Sequence, residues 1–291
     1  MSLAGKTCVV TGASRGLGRA IAEHLAARGA TLAICARNGT DLEALAASVR
    51  AAHGGKVIAA PLDVCDEEAV RRFAAAVADE GERVDALVNN AGLLGPVGRI
   101  DTVSLAEWRH AFAVNSIGTV QVTAAFVPLM TDGGSIVNLS GGGIGGPGVQ
   151  SHISAYTSSK GAIAVLTETL AAELAPLGIR VNAIAPGALH TELMRPVISA
   201  GADRAGATLY ESAQQIYDHA STTSAATLGD DCRALLDFLL DDASRPLTGR
   251  LLSARWDPVD DLKAQLGELP GTSRFTLRRI DGDWFRESDR P

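Results

Sequence analysis

The sequence predicts an α/β protein with a doubly wound parallel sheet of about seven strands, helices on both faces, and a C-terminal extension. Three observations support this. Short apolar runs rich in β-branched residues alternate with longer runs of helical period. The apolar runs lack polar alternation, which is typical of parallel strands covered on both faces. Glycine-rich and polar clusters follow the strands directly, where such a sheet places its ligand crevice.

The predicted elements alternate in order along the chain. Strands are predicted at Thr7–Thr11, Thr31–Ala36, Lys56–Leu62, Val84–Asn89, Gly134–Leu139, Ile179–Ala185 and Leu247–Ser253. Helices are predicted at Gly16–Arg28, Asp41–His53, Asp66–Glu80 (capped by Asp66), Leu105–Met130 and Ser154–Leu177. Residues 1–253 are therefore expected to form one domain, with a loop-rich segment at about 187–228 and an extension at 254–291.

The composition excludes several classes of protein. The 291 residues are 46% hydrophobic and carry a formal net charge of −7, which argues against a disordered chain and against a nucleic-acid or membrane-surface binder. There is no run of eighteen apolar residues and no signal-peptide pattern, so we expect a cytoplasmic protein. The four cysteines form no CxxC pair and the six histidines show no ligand spacing, so buried thiols and no metal site are expected.

A glycine-rich loop joins the first predicted strand to the first helix. Its sequence is Thr11-Gly12-Ala13-Ser14-Arg15-Gly16-Leu17-Gly18. Glycines allow a tight turn and bring backbone N–H groups and the positive helix end against a pyrophosphate. The pattern is weak alone, and a tight turn without a ligand is the alternative. Its position between strand and helix favours a Rossmann-type dinucleotide site.

The residue that follows the second strand bears on which cofactor is used. Arg37 stands where an acidic side chain would hold the ribose 2′-hydroxyl of NAD. Together with Arg15 it would instead neutralise the 2′-phosphate of NADP. NADP(H) is therefore expected, and NAD(H) remains possible. The alternative is that Arg37 is a solvated residue that opens the next helix.

A set of further motifs resembles the short-chain dehydrogenase/reductase family over about residues 3–253. The set is Thr11-Gly12-xxx-Gly16-x-Gly18, Asp63-Val64, Asn89-Asn90-Ala91-Gly92, Asn115, Tyr156-xxx-Lys160 and Pro186-Gly187-xxx-Thr191. The resemblance implies that Asp63 and Val64 lie at the adenine, and that Asn90, Ala91 and Gly92 pass close to the cofactor. It also implies that Pro186, Gly187 and Thr191 lie at the nicotinamide, and that Asn115 holds a water of a proton relay.

Tyr156 and Lys160 are the predicted catalytic pair. Their four-residue separation places both side chains on one face of a helix. An ammonium beside a phenol favours the phenolate, so we expect Lys160 to lower the pKa of Tyr156, which would act as general acid or base. The resemblance implies that Lys160 also binds the nicotinamide ribose. A surface Tyr–Lys pair is the alternative.

The sequence departs from the family at one catalytic position. The family has a serine at the end of the fifth strand, where this chain has Gly141 or Gly143, depending on the alignment. Ser140 is the predicted replacement because the glycines beside it make the loop pliable. Ser154, which could also be a helix N-cap, and a water or no replacement remain as alternatives.

These residues predict an NADP(H)-dependent oxidoreductase that transfers a hydride between the cofactor and a ketone or secondary alcohol. The rivals are a non-catalytic dinucleotide-binding sensor or interaction protein, and a family member that performs epimerisation or dehydration. The long Ala-rich helices and the resemblance imply a homo-oligomer, a tetramer or a dimer. An uncharged, apolar substrate is suggested by the residues predicted to line its pocket. These are Leu93, Leu94, the glycine-rich loop after the fifth strand through Val149, and Leu189–Tyr210.

The extension at 254–291 carries too much aromatic surface for a free tail. Its aromatic residues are Trp256, Phe275, Trp284 and Phe285, and Thr276–Ile280 alternates like a short strand before an Asp281-Gly282 turn. We expect the extension to cover the substrate cleft of its own or a neighbouring chain. Packing far from the cleft is the alternative.

Overall fold

The computed structural model describes residues 2–141, 144, 150–187, 192–220 and 228–277. Seven parallel strands form one sheet in the order β3-β2-β1-β4-β5-β6-β7. The strands are β1 (Thr7–Thr11), β2 (Thr31–Ala36), β3 (Val57–Pro61), β4 (Val84–Asn89), β5 (Met130–Leu139), β6 (Arg180–Ala185) and β7 (Leu251–Ser253). The chain order reverses between β1 and β4, which opens a crevice at their carboxyl ends. The predicted doubly wound sheet is confirmed.

Helices cover both faces of the sheet. They are α1 (Gly16–Ala27), α2 (Gly39–His53), α3 (Glu67–Asp79), α4 (Leu105–Phe112), α5 (Gly118–Phe126), α6 (Ser154–Leu174), α7 (Arg195–Ala205), α8 (Ala207–Ala220), α9 (Asp230–Leu240) and α10 (Val259–Gln265). The Asp66 carboxylate accepts a hydrogen bond of 3.0 Å from the Ala69 N–H, so the predicted cap of α3 is confirmed. Asn38 caps α2 in the same way, which starts that helix at Gly39 rather than at Asp41.

Two apolar cores lie on the two faces of the sheet, because successive strand side chains point to opposite sides. One core packs α1, α2 and α9 against the sheet and includes Leu25 and Leu239. The other packs α3, α5 and α6 and includes Phe73 and Phe126, whose ring centroids are 5.3 Å apart. A third, smaller cluster lies under α7 and α8, next to Tyr156. The sheet is therefore a rigid support for the loops at its carboxyl edge.

Some predicted boundaries are wrong for identifiable reasons. Strand β5 begins at Met130, which pairs with Val84, and the register shifts before Ala86. Strand β7 is shorter than predicted because Gly249 takes a left-handed φ of +71° and the Thr248 hydroxyl accepts the Val181 N–H. Two consecutive helices, α7 and α8, stand in the segment expected to be loop-rich.

Helical residues Leu105–Leu129 run through α4, a π-helical turn at Ala113–Ile117, α5 and a short 3-10 turn. In the part of the chain that the structure describes, this stretch has the length and composition of a membrane-crossing helix. Its most apolar window is 44% buried inside the protein. Buried helices of soluble proteins share this composition, so the stretch is weak evidence for a membrane.

Candidate active site

The glycine loop is held against β4 by close backbone contacts. The Thr11 hydroxyl accepts hydrogen bonds from the N–H groups of Asn90 and Ala91, each 3.0 Å long. The Asn90 amide donates to the Thr11 carbonyl at 2.8 Å. Gly12 has a φ of +66°, and a Cβ atom there would lie 2.8 Å from Ala91 Cα. Glycine is therefore required at position 12 by both conformation and space.

The loop opens on the start of α1 and borders a cavity of about 390 Å³. No described side chain caps the first N–H groups of α1, whose N-cap is Arg15. Uncapped N–H groups at a helix N-terminus bind phosphate. Twelve predicted cofactor residues line this cavity, together with Leu93 from the predicted substrate pocket: Gly12, Ser14, Arg15, Gly16, Leu17, Gly18, Arg37, Asp63, Val64, Asn90, Ala91 and Gly92. The donor set and the glycine cradle fit a dinucleotide.

Charged residues lie at the end of this cavity next to β2. The Arg15 and Arg37 side chains are exposed and form no hydrogen bond or ion pair with a described residue. Asp41 also lines the cavity, but its carboxylate already accepts a 2.6 Å hydrogen bond from Asn38. Asp63 accepts a 2.9 Å bond from the Cys65 N–H. Two unpaired guanidinium groups therefore face this end of the cavity.

Tyr156 and Lys160 lie on successive turns of α6, as predicted. The Lys160 ammonium is buried and donates a 2.6 Å hydrogen bond to the Leu139 carbonyl at the end of β5. The same ammonium lies 5.8 Å from the centroid of the Tyr156 ring. Helix periodicity and the end of β5 together fix the pair at the carboxyl edge of the sheet.

The pKa values of this pair correct one expectation. Burial raises the pKa of the Tyr156 phenol to about 12 and lowers the pKa of the Lys160 ammonium to about 8. The predicted lowering of the Tyr156 pKa by Lys160 is therefore not found in the protein alone. Loss of solvation is the cause of both shifts, and the buried ammonium donates its hydrogen bond to the Leu139 carbonyl. In this state the phenol carries its proton at neutral pH.

Asn115 lies in the π-helical turn between α4 and α5 and is fully buried. Its side-chain oxygen accepts a 2.7 Å bond from the Leu93 N–H, and its amide donates to the Leu93 carbonyl and to the Ser159 hydroxyl. A Cβ atom on Gly92 would lie 3.3 Å from Asn115 Oδ1 and 3.7 Å from Lys160 Nζ. Asn115 therefore joins the loop after β4 to α6 beside Lys160.

The structure does not support either serine as the missing donor. Ser140 is buried, its hydroxyl donates a 3.4 Å bond to the Lys160 carbonyl, and it does not line the substrate cavity. The Ser154 hydroxyl accepts a bond from the Trp108 indole N–H and does not cap α6. At position 141, a Cβ atom would lie only 2.6 Å from the Tyr156 hydroxyl. Tyr156 thus occupies the space that a serine side chain at position 141 would need.

A second cavity, of about 600 Å³, contains Tyr156 and meets the cofactor cavity at Leu17 and Leu193. Its described walls include predicted residues: Leu94, Gly141, Pro186, Gly187, Leu193 and Met194. The pocket prediction missed Ile153 and Ile216, whereas Arg255 and Asp257 belong to the extension that the sequence predicts to cover the cleft. Ile216 is on α8 and could have been found only by recognising that helix. Thr191 and most of the segment before Gln150 lie outside the described residues.

A family model for short chain dehydrogenases matches residues 6–201. The chain belongs to this family. It is therefore an oxidoreductase, in a family that binds nicotinamide cofactors and acts on small alcohols or carbonyl compounds.

Two curated relatives and one solved structure illustrate how this dehydrogenase is related to others. An uncharacterized oxidoreductase of Methylorubrum extorquens is 33% identical over 87% of this chain and 97% of its own length. The 2,3-dihydro-2,3-dihydroxybenzoate dehydrogenase of Bacillus subtilis is 37% identical over 65% of this chain and 72% of its own. The crystal structure of an NAD⁺-bound xylitol dehydrogenase superposes with a TM-score of 0.75, at 33% identity, and covers 87% and 98% of the two chains.

Proposed function

We propose that this dehydrogenase is an NADP(H)-dependent enzyme that interconverts an apolar ketone and its secondary alcohol, with Tyr156 as general acid or base and Lys160 as its partner. One observation carries the proposal. Tyr156 lines a cavity that meets the glycine-loop cavity at Leu17 and Leu193, and Lys160 lies one helical turn away. A substrate oxygen at Tyr156 would thus be next to a cofactor held by the glycine loop.

Each residue of the pair has a separate task in reduction. The bound nicotinamide supplies a hydride to the carbonyl carbon. The Tyr156 hydroxyl donates its proton to the carbonyl oxygen, and its raised pKa keeps that proton available at neutral pH. The Lys160 ammonium, held by the Leu139 carbonyl, stabilises the phenolate that remains. Oxidation of the alcohol uses the same pair in reverse, with the deprotonated Tyr156 phenol as the base.

The preference for NADP(H) is supported by Arg15 and Arg37. Two unpaired guanidinium groups fit a 2′-phosphate, and Asp41, the carboxylate near them, is already bonded to Asn38. Arg37→Asp should lower the ratio of NADPH to NADH affinity at least about tenfold, or about 1.4 kcal/mol. Arg72→Asp is the matched control, because it makes the same charge change on the exposed surface of α3. Equal binding of both cofactors by the wild-type protein contradicts the preference.

The activity is tested by offering NADPH and a panel of cyclic and aryl ketones while both NADPH absorbance and alcohol formation are followed. Tight cofactor binding with no turnover in either direction would favour the sensor. Product formation without net change in NADPH would favour epimerisation or dehydration. Ketone-dependent NADPH oxidation with stoichiometric alcohol is the expected result.

We also infer a homo-oligomer, a tetramer or a dimer, in the cytoplasm. Apolar side chains are exposed on α4 to α6: Leu105, Ile117, Val120 and Val165. Large exposed apolar residues grouped on neighbouring helices favour burial against another copy. Light scattering should give a mass of two or four 30.0 kDa chains. A stable monomer at micromolar concentration would contradict this.

A further inference from the structure

The substrate cavity is closed on one side by the C-terminal extension of the same chain. Arg255, Trp256 and Asp257, directly after β7, line it, as do Phe275–Leu277 at the other end of the described extension. The match to the family ends at residue 201, so these residues belong to a part of the chain that the family model does not cover. We propose that the extension forms a wall of the substrate cavity within one subunit through residues 255–257 and 275–277, and that Phe275 limits the size of the substrate.

A buried arginine holds this wall in place. The guanidinium of Arg250, just before β7, donates to the carbonyl oxygens of Leu269, Thr272 and Arg274 at 2.7, 2.8 and 2.7 Å. Arg250 is only 7% exposed, so these bonds are shielded from water. The chain that precedes Phe275 is thereby fixed against the edge of the sheet. Arg250 is a positioning residue for the wall.

Phe275 itself is fixed by its backbone. Its carbonyl oxygen accepts a 2.8 Å hydrogen bond from the Leu251 N–H of β7. Its φ is +60°, a conformation that costs energy for a bulky side chain and persists only where the surroundings impose it. Two residues on, the Leu277 N–H donates to the Glu168 carboxylate of α6 at 3.2 Å. Bonds on both sides therefore keep Phe275 at the cavity.

The substrate class follows from the other residues that line the cavity with Phe275. Leu94, Ile153, Met194 and Ile216 are apolar, whereas the polar side chains are those of Gln150, Tyr156, Ser253, Arg255, Asp257 and Thr276. A cavity of about 600 Å³ with such walls fits a small molecule with an apolar body and one reacting oxygen. The Phe275 ring packs partly against the core, so its volume is not free to move aside. A branched or bicyclic body would collide with it.

A point substitution tests this more sharply than removal of the extension. Truncation after Ser253 would leave the buried Arg250 guanidinium without its three carbonyl partners and would destabilise the whole edge of the sheet. Phe275→Ala opens the cavity and keeps those bonds. Leu266→Ala is the matched control, because Leu266 is on the same extension and packs against the same core without lining the cavity.

The first measurement rests on the proposed function. With NADPH, the ratio of kcat/KM for 4-phenylcyclohexanone to that for cyclohexanone should rise at least tenfold in Phe275→Ala and change less than twofold in Leu266→Ala. Phe275→Leu replaces the alanine variant if the latter does not fold, with a smaller rise expected. A ratio in the Phe275 variants within twofold of the wild-type value overturns the proposal.

The second measurement does not need activity. The neutral fluorescent probe N-phenyl-1-naphthylamine should bind Phe275→Ala at least fivefold more tightly than the wild-type protein, with no such change in Leu266→Ala. If no variant reduces any ketone, the proposed function fails, and the affinity for the probe alone then tests whether Phe275 forms part of the cavity wall. Equal probe affinity in wild type and Phe275→Ala then overturns the proposed wall.

Discussion

The two halves of the cleft are built in different ways. The cofactor half is made mainly by the loops that follow β1, β2, β3 and β4, at Gly12–Gly18, Arg37, Asp63–Val64 and Asn90–Leu93. The first and last of these loops touch through their backbones at Gly12 and Ala91. The substrate half joins α6, Pro186–Gly187, α8 and the extension around Phe275, which are far apart in sequence and meet through side chains. Close backbone contact requires particular residues, such as glycine, at fixed spacing, whereas a cavity wall made of side chains can be built from many different residues. The cofactor half is thus constrained by its backbone contacts, whereas the substrate half can vary with the substrate.

The largest effect is expected where the two halves meet, at Tyr156. Tyr156→Phe should lower kcat for ketone reduction by about a thousandfold, because a positioned general acid contributes 10²–10⁴. Cofactor affinity should stay within about threefold of wild type, since the ring and its packing remain. Tyr210→Phe, in the apolar cluster under α8, is the control and should keep its rate. Substantial turnover by Tyr156→Phe would show that Tyr156 is not the general acid.

In the cofactor half, Gly18→Ala should weaken dinucleotide binding about a hundredfold. A Cβ atom there would collide with the Asn90 amide and the Gly12 carbonyl, and overpacking of this kind costs about 1–3 kcal/mol. Titration of protein fluorescence with NADPH measures the effect. Gly267→Ala, at an exposed position with open space around it, should change neither binding nor stability. Unchanged affinity in Gly18→Ala would mean that the loop does not hold the pyrophosphate.

The same contrast explains how far the sequence could predict the molecule. The alternation of strands and helices follows from the apolar pattern, and the cofactor cavity follows from motifs that the backbone requires, such as Gly12 beside Ala91. The pKa of Tyr156 could not be predicted, because it depends on where the Lys160 ammonium is directed and on how deeply both groups are buried. Ser140 was a reasonable candidate by position, but its hydroxyl is turned to the Lys160 carbonyl. The role of Arg250 depends on three carbonyls from a distant loop.

In the substrate half, Gly141→Ala should lower kcat about tenfold with little change in cofactor affinity. The new methyl group would lie 2.6 Å from the Tyr156 hydroxyl and displace it from the substrate oxygen. Gly141→Ser causes the same displacement but adds a hydroxyl that can bond to that oxygen. The serine variant should therefore be faster than the alanine variant by about tenfold, which is less than the roughly hundredfold or more that a well-aligned oxyanion donor contributes. Equal rates in the two variants would show that no donor acts from position 141.

A final effect concerns pH and Lys160, which is proposed to serve both the cofactor and Tyr156. Its pKa is lowered to about 8 by burial, so the ammonium form is present below pH 8 and is lost as the pH rises through that value. The Tyr156 phenol, with a pKa of about 12, keeps its proton over the same range.

For ketone reduction, kcat/KM should therefore be level from pH 6.5 to 8 and should fall by about tenfold per pH unit above 8, if only the ammonium form is active. The affinity for NADPH should weaken over the same interval, because one group serves both cofactor and Tyr156. Lys160→Met should give a low rate and a flat cofactor affinity between pH 8 and 10. If kcat/KM instead begins to fall near pH 10.5, the ordinary pKa of lysine, Lys160 is solvated in the working enzyme and burial does not control its pKa.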